Sequence, residues 1–407
     1  MQKNKQDLKF PNKKTSSKKI KKMLELRALE IPNWKTEKAG FRVSFPQTYP
    51  HKISLYALSR FLPLNQNNGR GDIDSSSTGT ARLEYEVIRM VSNLVNGNNV
   101  EGYISTGGTE SNIEAVWIAK KIIGKRKTIL IKTILTHHSI DKAADILDIE
   151  TINVPLNKNY TLDSKKMQDI IETQIKKGIT GFIVIATAGY TATGTVDEIY
   201  DISKRIDTIK KENNIRILLH VDASFGGFVL PFLNSERSFD FRIKNVSSMA
   251  LDMHKMGFVP YSAGIFLCRN GMRKGVSRLV EYTNAIDSTL SGSRQGAYAA
   301  ACWATLQNLG RAGYTEIIKK CIENKKWMIK SLNRIFKNIT IIEDKDMNVF
   351  AMNFGKSKDQ RLPKNIEEKY GLNPININKK IFYRIYVMPH VTRGMLKKMV
   401  ADFKNQI

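Results

Sequence analysis

The sequence predicts an α/β fold in which a mainly parallel sheet is covered by helices on both faces and is followed by a smaller C-terminal unit. Short, continuously apolar segments such as residues 181–186 alternate with segments whose apolar residues recur at helical spacing. Strands buried on both faces have that continuous apolar character. Polar side chains also follow several apolar runs directly, as at Asp222. Ligands of such sheets bind beyond the carboxyl ends of the strands.

Length and charge restrict the classes of protein that this chain can be. Its 407 residues, 42% of them hydrophobic, can bury a large core and form two domains. The formal net charge of +27 would favour anionic partners, including nucleic acid. The lysines are nevertheless spread along the chain, with one dense run at 13–22, and no nucleic-acid-binding motif accompanies them. We therefore expect no nucleic-acid partner.

The cysteines and the hydropathy pattern concern compartment and metal binding. Cys268, Cys302 and Cys321 are odd in number, widely spaced and without a CxxC pair. This pattern predicts neither a disulfide framework nor a zinc site and fits a reducing cytoplasm. No apolar run reaches the roughly 18 residues of a membrane span, and the lysine-rich N-terminus has no signal-peptide core. We expect a cytoplasmic protein without a membrane span or a bound metal.

The N-terminal part of the chain predicts a basic arm, a loop and two helices. Residues 1–45 form the expected arm, with helical apolar spacing between residues 19 and 30. The aromatic residues and histidine of segment 45–51 could contact a substrate or simply pack. A Gly/Asp/Ser/Thr loop at 69–80 precedes a second helical pattern over 81–95.

Residues 102–112 combine an apolar strand, a glycine turn and the start of a helix. Gly107 and Gly108 allow the backbone to approach an anion closely, and the helix N-terminus attracts that anion. Thr109 can add a hydroxyl group. The turn is neither a Walker loop nor the dinucleotide fingerprint GxGxxG. It predicts an anion site of another kind.

Further apolar runs predict the remaining strands of the large domain, at residues 128–131, 134–135, 181–186, 217–222 and 246–251. Chemically competent side chains follow the predicted strand ends, at Thr109, His137, Thr191, Asp222 and Lys255. The carboxyl ends of parallel strands meet at one edge of a sheet. We therefore expect these five residues to converge there.

The C-terminal part predicts a small domain behind two helices. The predicted elements are helices at 296–309 and 315–336, strands near 340–342, 349–354 and 382–387, and a final helix at 392–403. Arg384 lies in the last apolar strand, and a buried arginine requires a carboxylate or phosphate partner. We place the large domain at 46–310 and the small domain at 311–407.

Asp222 and Lys255 together point to a cofactor. A carboxylate ends one apolar strand, and a lysine follows His254 after the next. Pyridoxal 5'-phosphate (PLP) requires such a pair, because a lysine forms its Schiff base and an acid pairs with its pyridine nitrogen. The glycine turn before Thr109 would supply the phosphate site.

The sequence resembles the group II PLP-dependent decarboxylases and, within them, the archaeal tyrosine/aspartate decarboxylases, from about residue 45 to the C-terminus. The motifs that carry the resemblance are STGGTESN (105–112), HHSIDKA (137–143), HVDASFGGF (220–228), LDMHKMG (251–257), GSR (292–294) and YRIYVMPH (383–390). It implies the PLP-dependent transferase fold (fold type I) with a mainly parallel seven-stranded sheet. It also implies a homodimer with active sites at the interface.

The resemblance implies a role for each matching residue. Lys255 would form the Schiff base, Asp222 would pair with the pyridine nitrogen, and His137 would stack on the ring. The remaining cofactor-binding positions would be Gly108, Thr109, Thr191, Ser248 and His254, with Gly292 and Ser293 reaching the phosphate from the other subunit. Arg384 would bind the substrate α-carboxylate and Tyr282 would reprotonate Cα. An ordinary loop tyrosine at 282 and a structural acid beside Arg384 are the alternatives.

The predicted function is an L-amino-acid decarboxylase that releases CO₂ and the amine from tyrosine, aspartate or glutamate. The alternatives are a carbon–carbon lyase of the sphingosine-phosphate lyase type, a PLP aminotransferase, and a nucleic-acid-binding protein on a decayed PLP fold. The sequence departs from close relatives at Met253, Ala250 and Ser224, where they carry proline, threonine and alanine. These residues neighbour the chemical groups, so substrate preference stays open.

Overall fold

The computed structural model describes residues 15–30, 43–46, 49–67, 77–233, 237–282, 284–355 and 361–406. Its helices are α1 (Ser17–Glu30), α2 (Lys52–Phe61), α3 (Gly79–Leu94), α4 (Gly108–Ile123), α5 (Ser139–Ile146), α6 (Ser164–Lys176), α7 (Ile199–Glu212), α8 (Gly296–Ile335), α9 (Lys364–Tyr370) and α10 (Arg393–Gln406). Its strands are β1 (Asn65–Asn67), β2 (Val100–Ser105), β3 (Thr128–Lys132), β4 (Glu150–Asn153), β5 (Gly181–Thr187), β6 (Arg216–Asp222), β7 (Val246–Asp252), β8 (Gly264–Arg269), β9 (Arg278–Val280), β10 (Ala285–Asp287), β11 (Ser293–Gln295), β12 (Thr340–Glu343), β13 (Val349–Asn353), β14 (Pro374–Ile377) and β15 (Lys380–Tyr386). Parts of the expected arm, 1–14 and 31–42, and residues 68–76 of the expected loop lie outside the described residues.

A seven-stranded sheet forms the centre of the molecule, in the order β2-β8-β7-β6-β5-β3-β4. Neighbouring strands from β7 to β4 pair in parallel, whereas β8 is antiparallel to both β2 and β7. The predicted mainly parallel seven-stranded sheet is therefore confirmed.

The sheet is mainly parallel because helices cover both of its faces. Every residue of β5 is buried, as expected for a strand with helices above and below it. On α7 the residues Ile199, Ile202, Ile206 and Ile209 are buried, and their spacing of three and four places them on one face. That face packs into the main apolar core, which includes residues of β5 and β6.

The predicted strand at residues 134–135 is wrong. These residues form a turn after β3, in which the Thr136 N–H donates to the Thr133 carbonyl. The Thr133 hydroxyl oxygen also accepts from the Leu135 N–H. Residues 134 and 135 are apolar without being part of a strand, because Leu135 packs against a small apolar cluster of the C-terminal sheet and not into the large sheet.

The C-terminal unit is a four-stranded antiparallel sheet in the order β12-β13-β15-β14, and its buried residues share one apolar core with those of α9 and α10. The strands expected near 340, 349 and 382 are present, and β14 was not predicted. The two helices expected at 296–309 and 315–336 form one element, α8, whose backbone departs from helical geometry at Gly310 (φ 53°). Such a φ favours glycine, and it coincides with the expected boundary between the domains.

The predicted helix in the N-terminal arm is present as α1, and its apolar residues Ile20, Met23, Leu24 and Leu26 are exposed in this single chain. In the part of the chain that the structure describes, we find no helix with the length and apolarity that a membrane crossing requires.

Candidate active site

A cavity of about 230 Å³ lies at the carboxyl edge of the central sheet. Segments that follow β2, β3, β5, β6 and β7 line it, because the ends of these strands meet at that edge. Thr187 and Asp222 are register partners at the ends of neighbouring strands. The lining residues include Gly107, Gly108, Thr109, His137, Thr187, Thr191, Asp222, Ser224, Asp252, His254 and Lys255. The predicted convergence of Thr109, His137, Thr191, Asp222 and Lys255 is what the structure shows.

Lys255 lies in the turn after β7, beside a carboxylate. Its Nζ is 2.8 Å from Asp252 Oδ2, and Asp252 is 2% exposed. Burial alone would lower the pKa of Lys255, but the carboxylates of Asp252 and Asp222 outweigh it and raise that pKa. The amine is therefore held as an ammonium group in the absence of a ligand, and Asp252 is the nearest acceptor for its proton.

Asp222 ends β6 and is buried, yet it is an ionised carboxylate. Burial would raise its pKa, but hydrogen bonds from Ser224 and the positive charge of Lys255 lower it below the usual value. Its Oδ1 accepts from the Ser224 hydroxyl at 2.6 Å and from the Ser224 N–H at 3.1 Å. Its Oδ2 accepts from Asn112 Nδ2 at 3.0 Å.

His137 precedes α5 and is half-buried at the cavity wall. Its Nδ1 lies 2.9 Å from the Ser139 hydroxyl and accepts from the Ser139 N–H at 3.3 Å. Burial lowers its pKa, although Asp222 opposes that effect, so the ring is neutral near pH 7. A neutral imidazole at this wall presents a planar face that can pack against an aromatic ring.

The glycine turn lines the cavity at the N-terminus of α4. Gly107 has a φ of 138°, and a Cβ there would lie 2.9 Å from His254 Cε1. A Cβ on Gly108 would clash with the Ser224 hydroxyl. Side chains at these positions would fill the cradle that a phosphate needs. The helix N-terminus supplies N–H donors and a favourable dipole.

His254 lines the cavity, but Ser248 does not. The His254 Nδ1 lies 2.7 Å from the Ala263 carbonyl oxygen, and its Nε2 lies 3.6 Å from Asp252 Oδ2. Ser248 is in the interior of β7, where its hydroxyl lies 2.8 Å from His220 Nδ1. The structure does not bring Ser248 into the cavity lining, because its side chain is buried against β6.

Four predicted residues lie away from the cavity of this chain. Arg384 is half-buried on β15, where its Nε donates to the Ser44 carbonyl at 3.3 Å. Among the described residues no Asp or Glu forms an ion pair with it. Tyr282 is 92% exposed, and Gly292 and Ser293 are also exposed. The structure therefore does not bring Arg384, Tyr282, Gly292 or Ser293 to the other predicted groups.

The structure adds site residues that sequence reasoning missed. Asp252 pairs with Lys255, and its Oδ1 is buried without a hydrogen-bond partner among the described residues. Thr187 also lines the cavity, and its hydroxyl oxygen is likewise buried without a hydrogen-bond partner among the described residues. Asp252 had a usable signal, because it occupies the last strand position three residues before the lysine. Thr187 had a weaker one, at the end of apolar β5.

These residues fit PLP, judged by the chemistry that they present. Asp222 offers a carboxylate to a ring nitrogen, His137 offers a planar face, and Lys255 offers an amine to an aldehyde. The α4 N-terminus offers a phosphate cradle free of side chains. The unpartnered Thr187 hydroxyl is available to a polar substituent of the ring.

Comparison with known protein families agrees with this reading of the cavity. Residues 75–354 match the family model described as the pyridoxal-dependent decarboxylase conserved domain. That span includes the glycine turn, His137, Asp222 and Lys255.

Similar proteins extend the match over most of the chain. A probable L-tyrosine/L-aspartate decarboxylase of Methanococcus maripaludis is 35% identical over 379 residues, covering 90% of this chain and 93% of the relative. A tryptophan decarboxylase of Clostridium sporogenes is 34% identical over 338 residues, covering 80% and 78%. Among solved structures, a glutamate decarboxylase of Lactobacillus brevis superposes with a TM-score of 0.83 over 98% of this chain and 94% of that one, at 17% identity. The last similarity concerns the fold.

Proposed function

The chain belongs to the pyridoxal-dependent decarboxylase family and is a PLP-dependent amino-acid decarboxylase, and from that premise we propose that its substrate is an L-amino acid with an aromatic or acidic side chain. The observation that carries the proposal is the convergence of Lys255, Asp222 and His137 in one cavity. The names of the tryptophan and tyrosine/aspartate decarboxylases to which the chain is similar support this substrate class.

Individual residues of this chain would hold the cofactor. We assign the Schiff base to Lys255, the ring nitrogen to Asp222, and the phosphate to Gly108, Thr109 and the α4 N-terminus, with His254 and Thr191 beside them. When bound, PLP supplies an electron sink that stabilises the electron pair left at Cα as CO₂ departs. His137 would cover one face of the ring and exclude water from it.

Proton positions follow from the charges around Lys255. Its Nζ must lose a proton before it can act as a nucleophile, and Asp252 Oδ2 accepts that proton at 2.8 Å. Asp222 is ionised and would favour a proton on the ring nitrogen of bound PLP. We assign the proton delivered to Cα to Tyr282 of a second subunit, because this side chain is exposed in the single chain.

Arg384 is proposed as the group that binds the α-carboxylate. It shares a strand face with Tyr386, two residues further along, since alternate residues of a strand point the same way. The Tyr386 hydroxyl donates to the Thr191 carbonyl at 2.7 Å, and Thr191 lines the cavity. We therefore propose that the Arg384 guanidinium reaches the substrate α-carboxylate from beyond the cavity lining and binds it in a bidentate manner.

The cavity wall supports an aromatic substrate more than an acidic one. Leu135, Tyr190, Phe225 and Tyr261 all line it. Among the described lining residues, Lys255 is the sole lysine or arginine. A second carboxylate, as in aspartate, would lack a cationic partner there, whereas an indole or phenol ring would have apolar contacts.

A panel assay tests this proposal. The PLP-loaded protein is incubated with tryptophan, tyrosine, aspartate and glutamate, and CO₂ and the matching amine are measured together. We expect kcat/KM to be highest for an aromatic member of the panel. Higher values for aspartate or glutamate would overturn the aromatic assignment, and an absence of CO₂ from all four would overturn the substrate class. The family model and the similar relatives are decarboxylases, so the lyase, aminotransferase and non-enzymatic alternatives are not favoured.

We also propose that the enzyme is a homodimer in which each subunit completes the site of the other. Gly292, Ser293 and Tyr282 are exposed and lie away from the cavity of their own chain. A groove of about 440 Å³ with an apolar lining that includes Tyr56, Phe61 and Trp303 also lies on the surface between α2 and α8. A partner subunit would cover such apolar surface.

Hybrid dimers test this arrangement. Lys255→Ala and Ser293→Asp subunits, each inactive as homodimers, are mixed under conditions that exchange subunits. If Ser293 acts across the interface, the hybrid contains one intact site and activity reappears. If it acts within its own chain, each hybrid site carries one defect and no activity returns.

A cytoplasmic location is also proposed, and it is supported by three buried cysteines outside any disulfide in the described chain.

A further inference from the structure

Behind the cavity, four buried polar residues connect β6, β7, α4 and α5. They are Asn112, Ser139, His220 and Ser248, and each is at most 4% exposed. Buried polar groups are normally hydrogen-bonded, and these four residues have protein partners. Their contacts also reach two groups of the cavity, Asp222 and His137.

The Asn112 side chain has one orientation that satisfies its neighbours. Its Nδ2 lies 3.0 Å from Asp222 Oδ2 and 2.8 Å from the Ser139 hydroxyl. An ionised carboxylate can only accept, so the amide nitrogen must face Asp222. The amide oxygen then faces His220 Nε2 at 2.9 Å and accepts its hydrogen.

This orientation fixes the proton positions along the whole set. With its hydrogen on Nε2, His220 accepts at Nδ1 from the Ser248 hydroxyl at 2.8 Å. Burial lowers the pKa of His220 to about 4, so the ring is neutral near pH 7. On the other branch, Ser139 accepts from Asn112 and can direct its own hydrogen to His137 Nδ1 at 2.9 Å. His137 therefore carries its hydrogen on Nε2.

We propose that Asn112, oriented by His220, is a positioning residue that holds Asp222 as a carboxylate and His137 as its Nε2–H tautomer. One side chain thereby sets both the partner of the ring nitrogen and the group on the ring face. The inference rests on the cofactor roles proposed above for Asp222 and His137. It also gives Ser248 a place, as the donor that completes the coordination of His220.

The charges around Asp222 are consistent with this role. Lys255 and His137 face it from the cavity, His220 lies behind it, and Ser224 donates to its other oxygen. Asn112 is the donor to Oδ2. If the amide turned over, its oxygen would face Asp222, and the ionised form would lose a hydrogen bond and gain a repulsive contact. A more basic Asp222 would compete for the proton, so the ring nitrogen would lose its protonated form.

A matched pair of variants at His220 tests the proposal in the holoenzyme. His220→Gln keeps an N–H donor near the position of Nε2, whereas His220→Leu removes it at similar volume. The protein is loaded with PLP labelled with ¹⁵N at the ring nitrogen, and the ¹⁵N chemical shift reports whether that nitrogen is protonated. We expect His220→Gln to resemble the parent enzyme. His220→Leu should shift the signal towards the unprotonated form and lower kcat by about 10-fold.

Other outcomes overturn the proposal. A parent-like ¹⁵N signal in folded His220→Leu protein, or equal losses in both variants, would assign His220 to packing alone. If His220→Leu does not fold, Asn112→Asp decides, because it replaces the donor facing Asp222 with an oxygen and forces two acids to share a proton. A protonated ring nitrogen and parent-like kcat in that variant would also refute the inference. The ¹⁵N measurement needs no amino-acid substrate, so failure of the proposed substrate class would be seen separately, in the parent enzyme.

Discussion

The floor of the cavity and its rim differ in how completely a single chain builds them. The floor, which we define as Asp222, Lys255 and His137, lies on segments that follow strands of one sheet. Each member has hydrogen bonds or an ion pair with neighbouring groups. The rim, which we define as Arg384, Tyr282, Gly292 and Ser293, lies outside the cavity lining, and three of its members are exposed.

The difference indicates two kinds of task. Groups that act on the cofactor must be held in fixed positions, and the carboxyl ends of packed parallel strands provide such positions. Arg384, the rim residue proposed to bind the substrate, lies on a second sheet, and the other rim residues are proposed to act from a second subunit. Changes in the floor should therefore affect chemistry and cofactor, whereas a change at Arg384 should affect substrate binding.

The largest effect is expected at Lys255, which belongs to the floor. Lys255→Ala removes the amine that binds the cofactor covalently, so the absorbance band of lysine-bound PLP should be lost. The turnover number kcat should fall roughly 10³-fold or more. Absorbance spectra and CO₂ release measure the two effects. Lys158→Ala, at an exposed lysine, is the matched control. A lysine-bound spectrum in the Lys255 variant would place the Schiff base elsewhere.

A smaller effect is expected at the rim, from Arg384→Gln. Loss of a charge-assisted bond to the α-carboxylate should lower kcat/KM by about 10- to 100-fold, mainly through KM. Arg384→Lys keeps the charge without the bidentate geometry, so its kcat/KM should lie between those of the parent enzyme and Arg384→Gln.

The product amine supplies the control for Arg384, since it lacks the α-carboxylate. Its inhibition constant should be nearly the same in the parent enzyme and in Arg384→Gln. Equal weakening of substrate and amine would show that Arg384 acts on the shape of the entrance and not on the carboxylate.

The floor could be predicted from sequence because its signals are local. Apolar runs mark β6 and β7, and the polar residues Asp222 and Lys255 follow them. His137 was placed after a predicted strand that is a turn, but it still lies just after β3 and before α5. The network behind the floor could not be found in this way. Asn112 is 108 residues from His220 and 110 from Asp222, and only the folded sheet brings them together. The motif around Ser248 likewise does not indicate that its hydroxyl faces His220 on β6.

The position of the rim depends on packing that no local pattern records. Arg384 was recognised as an unusual arginine in an apolar strand, yet its contact with Ser44 joins residues 340 positions apart. We propose that a second chain brings Tyr282, Gly292 and Ser293 to a cavity. The family resemblance supplied these residues, and their roles remain proposals that the hybrid dimers test.

The smallest effect on catalysis is expected from His220→Gln, which should instead change how the floor responds to acid. The folded-state pKa of His220 is about 4, below the value of about 6.5 for an unfolded histidine. The unfolded chain therefore takes up a proton first as the pH falls, so this contribution to stability is complete above pH 6.5 and is lost towards pH 4. In cofactor-free protein, the titration of His220 should lower the free energy of unfolding by roughly 2 kcal/mol as the pH falls from 7.5 to 5. His137 and His254 shift in the same direction and add to the loss. Glutamine does not titrate, so urea unfolding of His220→Gln should show a shallower pH dependence by that amount. The same slope in variant and parent would mean that His220 takes up its proton at the same pH in the folded and unfolded chains. A protonated ring carries a hydrogen on Nδ1 as well, which would reverse the direction assigned to the bond with Ser248.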